Sequence, residues 1–145
     1  QSIMATYTTS GIQESVTITK PAAADIADVR GRAIALDNNG NAVVASDATK
    51  PIIGIGLLTA GASNKLDGTD GAVKAGEDVD IQVTEMGYGK AGAAITAGAQ
   101  LTTDATGNLI PAAATGYVVA TALESAASGA FVFVQITKYH VTIAG

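Results

Sequence analysis

The chain has no cysteine and no tryptophan, and its 145 residues include only two phenylalanines, four tyrosines and three prolines. Without cysteine, a disulfide framework and a thiolate metal site are both excluded. Charged residues make up 14% of the sequence, well below the roughly 25% of an ordinary soluble domain. The length suits one domain, and its core has to be built mainly from small side chains.

Basic residues are also scarce. Eight Lys and Arg stand against thirteen Asp and Glu, the formal net charge is −5, and Arg30 and Arg32 form the only close basic pair. Nucleic-acid binding requires clustered cations, so we expect no nucleic-acid partner. Too many breakers interrupt the apolar runs for a membrane span, while the chain is too apolar to be disordered. We therefore expect a globular protein with no membrane partner.

The sequence does contain an internal duplication. The segment Asp37–Asn41 recurs 67 positions later as Asp104–Asn108. Further matches occur in the same order, with thirteen extra residues in the first copy: 16–17 with 83–84, 53–57 with 119–123, and 76–83 with 129–136. The matches predict one domain over 14–145 built from two similar units, about 14–84 and 81–137.

Each unit has the pattern of short strands joined by turns. Asp-x-x-Gly-Asn between apolar residues is typical of hairpins. We predict strands at 14–19, 32–36, 42–45, 52–58, 78–84, 99–103, 108–112, 117–123, 130–137 and 139–143. One helical turn is possible over 22–29, and the Gly-rich segment 61–75 is predicted to be an exposed loop. The predicted fold is all-β, a small barrel or sandwich with at most one short helix.

The stretch 1–13 lies outside the duplication and is polar, β-prone and uncharged. It is either a frayed terminus or an extended arm that adds a strand to the sheet of a partner. In the second case, Tyr7 and Ile12 are the apolar anchors.

Comparison of the two copies singles out two aromatic residues. Phe131 and Phe133 stand where the first copy has Asp78 and Asp80. The second strand is therefore apolar on both faces, as expected of a strand that is covered on both sides. We predict that Phe131 and Phe133 lie at a protein interface.

No residue pattern predicts catalysis or a cofactor. The single histidine, His140, has no accompanying nucleophile signature, and Glu77, Asp78 and Asp80 are interpreted as a solvated strand end. The segments Asp37–Asn41 and Asp67–Gly71 resemble parts of calcium loops but lack the required ligand spacing. We expect no catalytic residue, no cofactor and no metal.

Two segments, 90–108 and 116–126, resemble the small capsid decoration (cement) proteins of tailed bacteriophages. The likeness lies in Ala, Gly and Thr around short strands, and is strongest over about 75–137. The resemblance implies a non-enzymatic virion protein that binds the outer surface of a phage head and stabilises the capsid. It also implies the major capsid protein as partner and a homo-oligomer, with a trimer favoured.

Two other functions stay open. The chain is alternatively another virion component, such as a head-fibre base or tail protein, or a bacterial surface or pilus-like module. An enzyme is the least favoured class.

Overall fold

The computed structural model describes residues 16–58, 71–113 and 115–142, and this part of the chain contains ten strands and no helix. The strands are β1 (Thr17–Pro21), β2 (Ala33–Leu36), β3 (Ala42–Val44), β4 (Gly54–Gly56), β5 (Asp78–Gln82), β6 (Met86–Lys90), β7 (Gln100–Thr103), β8 (Leu109–Pro111), β9 (Gly116–Ala122) and β10 (Phe131–Val141). The prediction of an all-β fold is confirmed.

The strands form two five-stranded antiparallel sheets. The first sheet has the order β1-β5-β4-β2-β3, and the second has the order β6-β10-β9-β7-β8. Subtracting five from each strand number of the second sheet gives the order of the first. The two halves of the chain therefore repeat one topology.

The repeated turns also agree in detail. One Asp37 oxygen accepts hydrogen bonds from the backbone N–H groups of Asn39 and Asn41, both at 2.9 Å. In the second sheet, an Asp104 oxygen accepts the corresponding bonds from Thr106 at 2.8 Å and Asn108 at 3.0 Å. Both segments are thus hairpin turns held by an aspartate.

One part of the predicted alignment is wrong. Residues 16–17 were expected to correspond to 83–84, but the strand register shows that β1 corresponds to β6. Pro21 pairs with Asp78 in the first sheet as Lys90 pairs with Phe131 in the second. The offset in this part is therefore 69 positions, because the first copy has two more residues before β2 than the second has before β7.

Two predicted elements also differ from the structure. The helical turn expected over 22–29 is absent; instead Ile26 and Val73 exchange backbone hydrogen bonds of 2.7 and 2.9 Å. The strands expected at 130–137 and 139–143 are one strand, β10, which bulges where Lys138 adopts a φ of 34°. A local bulge keeps the ladder to β9 continuous, so the polar interruption does not end the strand.

Val73 also limits the predicted exposed loop over 61–75. Its side chain is buried, so the end of this segment is part of the core. The Ile26–Val73 bridge corresponds to a bridge between Ile95 and Ala126, which places the thirteen extra residues between Leu57 and Val73. Residues 59–70 and the arm 1–13 lie outside the described residues, and the division into an arm and a single domain stays a prediction.

The core consists of two clusters of small aliphatic side chains. The smaller cluster belongs to the first unit and is centred on Ile34, Val79 and Ile81. The larger cluster joins both sheets: Ile55 of β4 packs together with residues of the second sheet such as Val134. On this face of the first sheet, the part that is formed by β2 and β4 is therefore covered by the second unit.

Candidate protein interface

Phe131 and Phe133 lie on the same face of β10, because side chains alternate along a strand. Val132 and Val134, between and after them, are fully buried on the opposite face. Phe131 is 38% exposed and Phe133 is half-buried. Tyr7 and Ile12, the other predicted interface residues, lie outside the described residues.

Strand β6 adds further apolar side chains to this face. Phe133 pairs with Tyr88 across the strands, with ring centroids 5.1 Å apart. Phe131 pairs with Lys90, whose Nζ lies 5.6 Å from the ring centroid, within cation–π range. Met86 completes the row and is 54% exposed. We call Met86, Tyr88, Phe131 and Phe133 the aromatic strip.

A shallow groove of about 320 Å³ lies at one end of the strip, next to Met86, Tyr88 and Phe133. Leu57 and Leu58 form its other wall, and Leu58 is 42% exposed. Exposed apolar side chains are common singly, but a contiguous group of large ones marks an interaction surface.

The first sheet provides an internal control for the strip. At the positions of Tyr88 and Phe133 it has Thr19 and Asp80, whose side chains share a hydrogen bond of 2.9 Å. The same backbone thus presents a solvated polar pair in one unit and two contacting aromatic rings in the other. The aromatic character of the second sheet is therefore a property of its surface and not a requirement of the fold.

Sequence reasoning missed β6 because the segment Met86–Lys90 alternates with glycine, which is unfavourable in strands. The structure shows which side chains lie against these glycines. A Cβ at Gly87 would meet the end of the flexible Gln82 side chain, which can move aside, whereas one at Gly89 would overlap the buried Leu109. The available signal was the period-two placement of Met86, Tyr88 and Lys90.

Residues with catalytic potential are not brought together. His140 is exposed and contacts Tyr117 edge-on, with ring centroids 4.8 Å apart. Asp78 and Asp80 are exposed on β5, and Glu77 accepts a backbone hydrogen bond from Lys74 at 2.8 Å. Among residues 16–58, 71–113 and 115–142, no group of three His, Cys, Asp or Glu could hold a metal ion.

A local charge effect lies in another open groove, of about 310 Å³, along residues 24–28, Arg32 and β3. Asp28 forms an ion pair with Arg30 at 2.8 Å. The side-chain hydrogen bonds from Arg30 are the main cause that holds the pKa of Asp28 below its ordinary value of 3.8, against an opposing effect of burial. The pair fixes the loop before β2.

A solved structure has a similar architecture: the N base of head fiber gp8.5 in bacteriophage phi29. The superposition covers 84% of this chain and 93% of that one, with a TM-score of 0.57 and 20% sequence identity. The chain shares that fold.

No protein-family model matches the chain, and no curated protein matches it significantly in sequence. Within the described residues, no helix is long and apolar enough to cross a membrane.

Proposed function

We propose that the chain is a non-enzymatic structural protein of a phage virion, which binds the outer surface of the head through the aromatic strip and stabilises the capsid. Its partner is then the major capsid protein. The observation that carries the proposal is the fold shared with a head fiber base, at 93% coverage of that base. The aromatic strip supplies the attachment surface.

The physics of a repeated lattice suits this role. A head offers many equivalent sites, so each copy needs only a modest contact area. A ligand that binds only the assembled shell stabilises it by mass action. Aromatic residues are enriched at the centres of protein interfaces, and the strip places three of them side by side.

A head-fibre base is the second candidate, and the fold likeness fits it equally well. In that role the chain occupies the same outer surface but carries a fibre instead of bracing the shell. Electron microscopy of complete phage particles separates the two roles: a fibre base carries a fibre at the site that this chain occupies, whereas a decoration protein carries none.

The test is binding to heads assembled without this protein, measured by co-sedimentation and by electron microscopy. The variant Tyr88→Thr with Phe133→Asp installs the polar pair that the first sheet already carries, so the cross-strand hydrogen bond can form and the fold is kept. We expect binding to weaken about tenfold or more, because truncation of buried aromatic anchors costs about 2 kcal/mol or more.

The matched control is Thr19→Val with Asp80→Ala, two substitutions at the corresponding positions of the first sheet. It should bind heads like the unmodified protein. If the Tyr88→Thr, Phe133→Asp variant bound heads as tightly as the unmodified protein, the aromatic strip would not be the surface that attaches to the head. No added density on heads with the unmodified protein would refute the proposal as a whole.

A further inference from the structure

The contact between the two units is asymmetric, because each unit contributes a different surface to it. The turn Asp104–Asn108 of the second unit lies on the start of β2 in the first unit. Arg32 Nη1 donates to the Thr106 carbonyl at 2.6 Å, and the Ala33 N–H donates to the Gly107 carbonyl at 2.7 Å. Gly107 packs so closely on Val44 that a Cβ there would overlap the Val44 Cγ1 atom.

Neighbouring backbone extends this contact. The Lys90 N–H donates to the Gly31 carbonyl at 2.9 Å, and a Cβ at Gly31 would lie only 2.9 Å from the Phe131 ring. Tyr117 donates its N–H to the Ala48 carbonyl at 2.8 Å. The second unit therefore contributes its turn together with Lys90, Phe131 and Tyr117 to the contact. The first unit contributes the backbone from Gly31 to Ala48.

Each of these surfaces has a duplicate elsewhere in the chain. Gly40 of the first unit corresponds to Gly107, and Gly98 of the second corresponds to Gly31. A Cβ at Gly40 or at Gly98 would meet nothing within 4 Å. Gln100, at the position of the buried Ala33, is exposed. Within residues 16–58, 71–113 and 115–142, one copy of the turn and one copy of its receiving surface are therefore unoccupied.

The unoccupied turn is flanked by apolar side chains. Leu36, Pro51 and Ile53 line an open groove of about 490 Å³ beside it, together with the polar residues Asp37, Asn38 and Lys50. Their counterparts in the second unit are Thr103, Tyr117 and Val119. Thr103 and Val119 are buried, and Thr103 contacts the first unit through a hydrogen bond of 3.4 Å to Ala45. Leu36 is instead 36% exposed.

We propose that a second copy of this chain occupies these surfaces, head to tail. The turn surface (Leu36, Gly40, Pro51 and Ile53) of one copy docks on the receiving surface (Gly98, Ala99, Gln100 and Pro111) of the next, as the second unit docks on the first. The Gly40 carbonyl accepts the Gln100 N–H, as Gly107 accepts from Ala33. Docking buries no charged side chain of the receiving surface, because the four residues of that surface are all neutral.

Such a contact joins two different surfaces, so it is heterologous and builds a closed ring or an open chain of copies. It is also weaker than the contact within the chain. Pro21 stands at the position of Lys90 and has no N–H to donate, and Ala99 replaces Arg32. Association is therefore reversible and depends on concentration.

The test is sedimentation velocity of the purified protein without heads, so its outcome is independent of the proposed function. Leu36→Glu blocks the turn surface and Pro111→Glu blocks the receiving surface; both side chains are exposed, so the fold is kept. Each variant alone should have a dissociation constant raised about tenfold or more. Leu123→Glu, at a similarly exposed leucine outside both surfaces, should associate like the unmodified protein.

Mixing the two blocked variants distinguishes this arrangement from a symmetric dimer. Each retains one intact and complementary surface, so an equimolar mixture should form a 1:1 dimer and nothing larger. An unmodified protein that stays monomeric up to its solubility limit, a blocked variant that associates normally, or a mixture that stays monomeric would each overturn the proposal.

Crosslinking gives a second readout, because the chain has no natural cysteine. Asn39 and Ala99 correspond to Thr106 and Arg32, which are in contact. With a short bismaleimide, the doubly substituted Asn39→Cys, Ala99→Cys protein should give a ladder of covalent oligomers. Each single substitution should give none. A covalent dimer of the single Asn39→Cys variant would contradict the head-to-tail arrangement.

Discussion

At the scale of single residues, the loop before β2 depends on one ion pair. Asp28 accepts two side-chain hydrogen bonds from Arg30, at 2.9 and 2.8 Å, and one from the Arg30 backbone N–H at 3.1 Å. Gly71 lies against this pair so closely that a Cβ there would overlap an Asp28 oxygen. The charges are partly exposed, which limits the contribution of the pair to stability.

This pair predicts a pH dependence of the free energy of unfolding. The pKa of Asp28 is lowered in the folded state, so the stabilisation is fully present above the unfolded value, near 3.8, and is lost as the pH falls through the folded pKa. Asp28→Asn should therefore flatten the loss of stability below about pH 4. Urea unfolding from pH 2 to 7 measures this. Asp78→Asn, at an exposed strand residue, is the control, and an equal flattening in both would contradict the assignment.

At the scale of elements, the two aspartate turns form a matched pair. Gly40 and Gly107 have φ values of 81° and 84°, in the left-handed region that favours glycine. The two turns share the backbone hydrogen bonds to the aspartate, and the second also has two side-chain hydrogen bonds of Thr106. The second turn also lies against the other unit, whereas the first does not. The same glycine substitution in each turn therefore separates the free-energy cost of the backbone conformation from that of the contact with the other unit.

We expect Gly40→Ala to cost about 1–2 kcal/mol, the strain of a Cβ at positive φ. Gly107→Ala should cost about 1–3 kcal/mol more, because its Cβ would also overpack Val44. Urea unfolding of dilute, monomeric protein measures both. Equal losses of unfolding free energy in the two variants would mean that the contact between the units accommodates the added Cβ without strain.

At the scale of the whole molecule, the two sheets share one core. The larger cluster includes Ala33, Ala35 and Ile55 of the first sheet and the buried residues of β7, β9 and β10. The smaller cluster lies on the other face of the first sheet. If one unit unfolded alone, the other would expose its buried side chains of the larger cluster to water, which is unfavourable in free energy. We therefore expect the two units to unfold together.

We therefore expect one cooperative thermal transition, with equal calorimetric and van't Hoff enthalpies. Ile55→Ala in the larger cluster and Ile81→Ala in the smaller one should each lower the stability by about 2–5 kcal/mol. Both should shift that single transition. Two separate transitions, with Ile81→Ala moving only one of them, would show that the units are independent.

The sequence allowed the strand-rich fold and most of the repeat to be predicted, because the turn residues and the strand alternation are local signals. It could not reveal β6, because Gly87 and Gly89 are unfavourable in a strand and obscure the alternation of the other side chains. It also gave no sign that the Phe131 ring lies beside Gly31 of the other unit, as the structure shows. Contacts of this kind depend on how the units dock, and no local pattern encodes that arrangement.

The positions of β1 and β10 imply unequal resistance to mechanical force. Among the described strands, β1 is an edge strand that pairs with β5, whereas β10 lies between β6 and β9 and is bonded on both sides. A pull on the segment before β1 peels one ladder a bond at a time. A pull beyond β10 must shear two ladders at once, so a load enters this protein most safely from its carboxyl end.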